Sequence, residues 1–279
     1  MSKKICLITG ATAGIGKETA RQLAAKGIHV VITARSKEKA AATVQEIKTQ
    51  YPNASLDYLL CDLSSQQSVR KLAQEFIDTY DRLDILINNA GVFYSELQLT
   101  EDGVEMQFAV NHLAHFLLTH LLLDILKQSA PSRIVNVSSD SHYGGNIHFD
   151  DLNLSKKYRG RTAYPQSKLA NVLFTYELDR MLEDTGVTVN ALHPGTVDTA
   201  IGNTNSSPII NLGWKVIRMF AIPIEKGAET SVYLATSDEV KDISGKYFEK
   251  CKAKKSSRAS YDKEAALKLW NVSKQLTGL

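Results

Sequence analysis

The chain has 279 residues with 33 basic and 30 acidic side chains, a formal net charge of +3, 43% hydrophobic residues, 16 glycines and 6 prolines. This is the composition of an ordinary globular protein long enough to bury a large core, and it excludes disorder, collagen-like repeats and a disulfide-stapled miniature. Spread over so much surface, the charge gives no field that would call for nucleic acid, whereas a small anionic ligand stays open.

Lys3 and Lys4 precede the apolar run Ile5 to Ile8, the core of an expected strand Ile5 to Thr9. The run is too short for a secretion signal and leads straight into glycines, so it predicts a first strand. Short β-branched runs then alternate with segments of helical period. Further strands are expected at Ile28 to Ala34, Ser55 to Cys61, Ile85 to Asn88, Arg133 to Ser138, Val187 to Leu192 and Gly245 to Glu249. The helices between them fall at Ile15 to Lys26, Lys37 to Gln50, Gln66 to Tyr80, Gly103 to Gln128, Thr162 to Asp184 and Glu225 to Ala235. Gly27 and Gly186 each follow a helical segment and precede a strand, where a left-handed residue ends a helix.

This order implies one doubly wound α/β (Rossmann) domain over residues 1–279, with about seven parallel strands flanked by helices. Two segments break the alternation, Asp140 to Arg161 and Thr196 to Pro223, and such departures are where ligand loops lie. In the second, Trp214, Val216, Ile217, Met219 and Phe220 make an apolar stretch suited to a surface helix or to a substrate lid. The basic run Lys250 to Arg258 lacks an apolar partner face and is expected to be solvated. No uninterrupted apolar stretch is long enough to span a membrane, so no integral membrane association is expected. Cys6, Cys61 and Cys251 are odd in number and far apart, which points to reduced thiols and a cytoplasmic protein.

Three motifs carry chemistry. Thr9-Gly10-Ala11-Thr12-Ala13-Gly14-Ile15-Gly16 lies between the first strand and the first helix, where its glycines allow a tight turn and let backbone approach a pyrophosphate. Asn88-Asn89-Ala90-Gly91 closes the fourth strand. Tyr164 is the only one of eleven tyrosines with a lysine four residues on, Lys168, and that spacing sets both on one helix face. An ammonium beside a phenol favours the phenolate, which would lower the tyrosine pKa from about 10 toward the working range of an acid or base.

Taken together, these residues resemble the short-chain dehydrogenases/reductases over nearly the whole chain. Asp62 after the third strand, Asn111, Val137-Ser138-Ser139 and His193-Pro194-Gly195 complete the family order. Val110-Asn111-His112-Leu113, the segment Tyr164 to Leu173, and Leu269-Trp270-Asn271-Val272-Ser273 look like the retinol-dehydrogenase-like branch. The resemblance implies that Tyr164 is the acid or base, Ser139 the hydroxyl that orients the substrate oxygen, Lys168 the partner of Tyr164 and of the nicotinamide ribose, and Asn111 the anchor of a water leading to Lys168. It also implies a cofactor site of Gly10, Thr12, Gly14, Ile15, Gly16, Arg35, Asp62, Leu63, Asn89, Ala90, Gly91, Tyr164, Lys168, Pro194, Gly195, Thr196 and Thr199, without a metal.

The second strand ends Thr33-Ala34-Arg35-Ser36, with no acidic side chain for a free ribose hydroxyl and with Arg35 able to pair with a 2′-phosphate. NADP(H) is therefore expected over NAD(H), although Ala13 stands where NADP-using relatives often have a basic residue. Anchored members of the retinol branch begin with an apolar segment, which this chain lacks before its first strand, so anchoring is not carried over. The expected activity is hydride transfer between NADP(H) and a lipophilic aldehyde, ketone or alcohol, in a chain that could form a homo-oligomer. A non-catalytic NADP(H)-binding regulator is the alternative. A hydrolase is disfavoured because no Gly-x-Ser-x-Gly elbow exists, and His112, His115 and His120 do not share one helix face as a metal site would require.

Overall fold

The computed structural model describes residues 3–196 and 222–279. Thr199 and the stretch holding Trp214, Ile217 and Phe220 lie outside the described residues, as does most of the expected substrate loop. Eight strands form one sheet: β1 Ile5–Ile8, β2 His29–Ala34, β3 Leu56–Leu60, β4 Ile85–Asn88, β5 Ser132–Val137, β6 Val187–His193, β7 Lys246–Glu249 and β8 Lys252–Lys254. Their order is β3-β2-β1-β4-β5-β6-β7-β8, parallel throughout except that β8 returns antiparallel to β7.

Both faces of the sheet are covered, so its strands are apolar at successive positions. Leu7, Val31, Leu86 and Ile134 face one layer, with Phe76, Leu117, Phe174 and Leu178. Cys6, Ile8, Val30, Ile32, Ile87 and Val135 face the other, with Ala20, Leu23, Val232 and Ala235. Burial of a parallel sheet on both sides produces this pattern. The helices α1 Gly14–Ala25, α2 Lys37–Gln50 and α3 Gln66–Thr79 match the expected ones, and Gly27 and Gly186 have the positive φ expected of helix stops, 80° and 76°.

Three features depart from the sequence reading. The helix expected over Gly103 to Gln128 begins only with α4 Met106–Phe108, because Gly103 has φ 76° and the Glu105 carboxylate caps the helix by accepting from Phe108 N at 2.7 Å. It widens into a π-turn at Ala109–Leu113, runs on as α5 Ala114–Leu121, and breaks at Leu122 before α6 Leu123–Gln128. The basic run after β7 is not wholly solvated: Lys250 and Cys251, both at positive φ, form a two-residue hairpin turn into β8, and Ser256 and Ser257 are buried beyond it. Neither turn residue is Gly or Asn, so sequence carried no hairpin signal. Finally, a helix at Lys263–Thr277 went unexpected, although Asp262 caps it through Ala265 N at 3.0 Å and Gly278 ends it at φ 64°. Its Trp270 packs edge-on to Phe116, with ring centroids 4.9 Å apart.

Candidate active site

Strand order reverses between β1 and β4, which are direct neighbours with Ile8 opposite Ile87. A parallel sheet opens a crevice beyond its C-terminal edge at such a point. The two loops leaving these strands are joined by Thr9. Its hydroxyl accepts from the amides of Asn89 at 2.9 Å and Ala90 at 3.0 Å, while the Asn89 side chain donates to the Thr9 carbonyl at 2.8 Å. The Thr9 proton goes to His115 Nε2 at 2.9 Å, since His115 Nδ1 must donate to the Asn111 carbonyl at 3.1 Å. Burial keeps this imidazole neutral, with its pKa pushed down to about 3. Sequence placed Thr9 in the glycine motif but did not reveal its joining role or that of His115.

Two glycines in this turn are sterically required. A Cβ on Gly10, where φ is +67°, would lie 2.8 Å from Ala90 Cα, and one on Gly16 would overlap Asn89 Nδ2 and the Gly10 carbonyl. The result is a cradle of bare backbone at the start of α1. It opens into a cleft of about 330 Å³ lined by Gly10, Thr12, Gly14, Ile15, Gly16, Arg35, Asp62, Leu63, Asn89, Ala90, Gly91, Tyr164, Lys168 and Pro194, all expected from sequence. Thr33, Ala34, Cys61, Ser64, Val92, Tyr94, Met106, Val110, Val137 and Ser138 also line it and were not foreseen. Gly195 and Thr196 stand outside this wall, next to Ile222, whose amide donates to the Thr196 carbonyl at 2.8 Å.

Tyr164 and Lys168 project from the first turns of the helix α7, Gly160–Met181. The Lys168 ammonium sits 5.6 Å from the Tyr164 ring centroid and donates to the Val137 carbonyl at 3.2 Å. Burial lowers its pKa to about 8. Burial also pushes the Tyr164 phenol up to about 12, with the Ser139 hydroxyl pulling it partly back. The expected lowering by Lys168 is therefore not what this geometry produces: the cost of burying a phenolate exceeds the help of a cation held at that distance.

Ser138 and Ser139 follow β5 and point to opposite sides, as alternation along an extended chain requires. The buried Ser138 hydroxyl donates to the Lys168 carbonyl at 2.7 Å. That of Ser139 accepts from Ser141 N at 3.2 Å and lies 3.1 Å from Asp140 Oδ1, and Ser139, unlike Ser138, is not among the residues that line the cleft. Asn111 occupies the π-turn. Its side chain is bound to Val92 through both N–H and C=O, at 2.7 and 3.1 Å, and to Ser167 Oγ at 3.0 Å. A Cβ on Gly91 would meet both Lys168 Nζ at 3.4 Å and Asn111 Oδ1 at 3.6 Å, so the two side chains close on the same point.

A doubly wound sheet with a glycine cradle at its switch point and a Ser, Tyr and Lys cluster on the facing wall defines a nucleotide-dependent oxidoreductase class. The family described as short chain dehydrogenase matches residues 4–209, and the chain belongs to it. It falls in the retinol-dehydrogenase-like branch. It is 47% identical to retinol dehydrogenase 13 of Homo sapiens over 285 residues, covering 99% of this chain and 85% of that protein. With retinol dehydrogenase 12 of Mus musculus it shares 45% identity over 276 residues, 99% of this chain and 87% of that protein. Among solved structures it is similar to an uncharacterized protein from Mycobacterium Paratuberculosis, with TM-score 0.81, 34% identity, and coverage of 99% and 94% of the two chains. It is also similar to the Pseudomonas aeruginosa RhlG/NADP active-site complex, with TM-score 0.72, 25% identity, and coverage of 89% and 94%.

Proposed function

We propose that this protein interconverts a carbonyl and an alcohol on a lipophilic small molecule with NADP(H) as cofactor. The observation that carries the reading is the placement of the Tyr164 phenol, one helical turn from Lys168, on the wall of a cleft that reaches Arg35. The residues fit a dinucleotide: the cradle at Gly10 and Gly16 is closed to any side chain, and Arg35 lines the far end beside Thr33 and Ala34 with no carboxylate among the cleft residues of β2. A guanidinium there would pair with a 2′-phosphate. The similar Pseudomonas aeruginosa structure is a complex with NADP, which agrees with this choice.

The bound nicotinamide supplies or accepts the hydride. Tyr164, a phenol well above neutral pKa, is protonated at pH 7 and donates its proton to the substrate oxygen in the reductive direction. Ser139 orients that oxygen from the other side and shares the developing charge. Lys168, still mostly cationic at pH 7, would hold the ribose and offset the phenolate left after transfer. Asn111, held on both sides of Val92, would anchor a water leading to Lys168.

Val92, Tyr94, Met106 and Val110 add apolar surface to the lining of the cleft, and Phe93 stands edge-on to the Tyr164 ring at 5.9 Å. Together with relatives named for retinol, this supports a lipophilic substrate. The test is NADPH and NADH oxidation by the purified protein against aldehydes from short chains to retinal. Turnover that prefers NADPH and rises with chain length is expected. Cofactor binding without turnover of any carbonyl or alcohol would replace the reading with that of a cofactor-binding regulator.

A further inference from the structure

Ser139 is tied on its backbone side to a histidine no motif singled out. His142 is fully buried in the short 3₁₀ turn Asp140–Gly144 that follows Ser139. Its Nδ1 lies 2.6 Å from the Ser139 carbonyl, and its Nε2 is 3.0 Å from the amide of Ser257. A carbonyl only accepts and an amide only donates, so the ring must be neutral, with its proton on Nδ1. Ser257 is more than a hundred positions away, beyond β8, and the same segment holds the turn a second time where Tyr143 Oη donates to the Lys255 carbonyl at 2.6 Å.

We propose that His142 is a positioning residue for Ser139, transmitting the anchorage of residues 255–257 to the serine through its Nδ1–H bond to the Ser139 carbonyl. The inference rests on the role proposed above for Ser139. Protonating His142 would put Nε2–H against the Ser257 N–H, two donors face to face, and release the clamp. The other titratable groups around the ring are Asp140 and Tyr143 from its own turn, His193 from β6, Tyr247 from β7 and Lys254 from β8. Burial dominates over the carboxylate and holds the His142 pKa below its ordinary value.

Three variants and one spectrum test this. His142→Leu removes both bonds, His142→Asn keeps a donor close to the Nδ1 position, and Ser257→Pro deletes the amide proton, together with a buried hydroxyl that has no hydrogen-bond partner, at a residue whose φ of −63° already suits proline. In His142→Leu, kcat is expected to fall about tenfold or more through displacement of the serine, with the NADPH Kd unchanged, and His142→Asn should recover most of it. In Ser257→Pro the clamp is absent at every pH, so kcat should already be lowered at neutral pH and the part of the acid limb that His142 protonation causes should disappear. Wild-type kcat in folded His142→Leu overturns the proposal. So does a joint loss of kcat and cofactor binding that Asn does not relieve, which would mark a merely structural residue. Nitrogen-15 NMR of labelled histidine, with His142 assigned by its loss in the Asn variant, should show the Nδ1–H tautomer. An Nε2–H tautomer overturns the proposal whether or not the wild type turns over any carbonyl, so this readout separates failure here from failure of the proposed activity.

Discussion

The two walls of the cleft are built on different principles. On the β1 and β4 side, backbone approaches backbone: Gly10 and Gly16 leave no room for a Cβ, and Thr9 joins the loops through amide hydrogen bonds. The β5 and α7 side instead presents titratable side chains whose protons are set by burial, Tyr164 up to about 12 and Lys168 down to about 8. A wall of backbone offers shape and fixed N–H donors to an anion, whereas a wall of half-buried phenol and buried amine offers a proton held at a chosen atom. Damage to the first should therefore appear in cofactor affinity and damage to the second in turnover.

The largest expected effect is that of Tyr164→Phe, which keeps the ring against Phe93 but removes the proton; kcat should fall by about 10²–10⁴-fold. The NADPH Kd should stay within about twofold, and near wild-type turnover would end the assignment of the reacting wall. Next comes Ser139→Ala, expected to cost about 10²-fold in kcat as removal of one donor to a developing oxyanion does. Ser138→Ala, measured beside it, should cost much less in kcat, since that hydroxyl is spent on the Lys168 carbonyl.

Gly16→Ala attacks the other wall. Its methyl meets Asn89 and the Gly10 carbonyl, so NADPH Kd should rise by about tenfold or more by titration calorimetry, with less change in kcat at saturating cofactor. A loss confined to kcat would dissolve the distinction between the walls. At the far end of the cleft, Arg35→Asp should reverse a preference for NADPH of about tenfold, as a charge-assisted hydrogen bond of about 1.5–3 kcal/mol implies. Equal use of NADPH and NADH by the wild type would remove the basis for Arg35 as phosphate partner.

The smallest effect concerns stability. Lys168 has its pKa lowered from 10.5 to about 8, so its unfolded form binds more protons between those values and stability rises with pH across that window. The cost of burying the cation is fully present below pH 8. Lys168→Met should accordingly be more stable than the wild type at pH 7, by at most ~3 kcal/mol less the lost bond to Val137. That advantage should shrink as melting is followed toward pH 10, and an advantage that grew with pH would reverse the sign assigned to this lysine.

The backbone wall was more legible in the sequence than the side-chain wall. Gly10, Gly14 and Gly16 between a strand and a helix specify a tight turn locally, and Asn89, Ala90 and Gly91 sit beside them as expected. Tyr164 and Lys168 were readable as a pair because four residues is one helical turn. Their proton affinities were not, since these depend on what excludes water around them. The π-turn that carries Asn111 was invisible because a single widened turn leaves the helical period of its neighbours intact.

By itself the sequence determined the alternation of strands and helices from β1 to β7, the strand-end positions of the glycine and Asn-Asn-Ala-Gly turns, and the face shared by Tyr164 and Lys168. These follow from periodicity and local sterics, which act between residues a few positions apart. Only the tertiary structure decided that Thr9 joins the two loops with its proton taken by His115, that β8 folds back along β7, and that Ser257 reaches His142 behind Ser139. Hydrogen bonds between positions separated by 106 or 115 residues, and the desolvation that sets a buried proton, exist only once packing has brought those groups together and expelled the water between them.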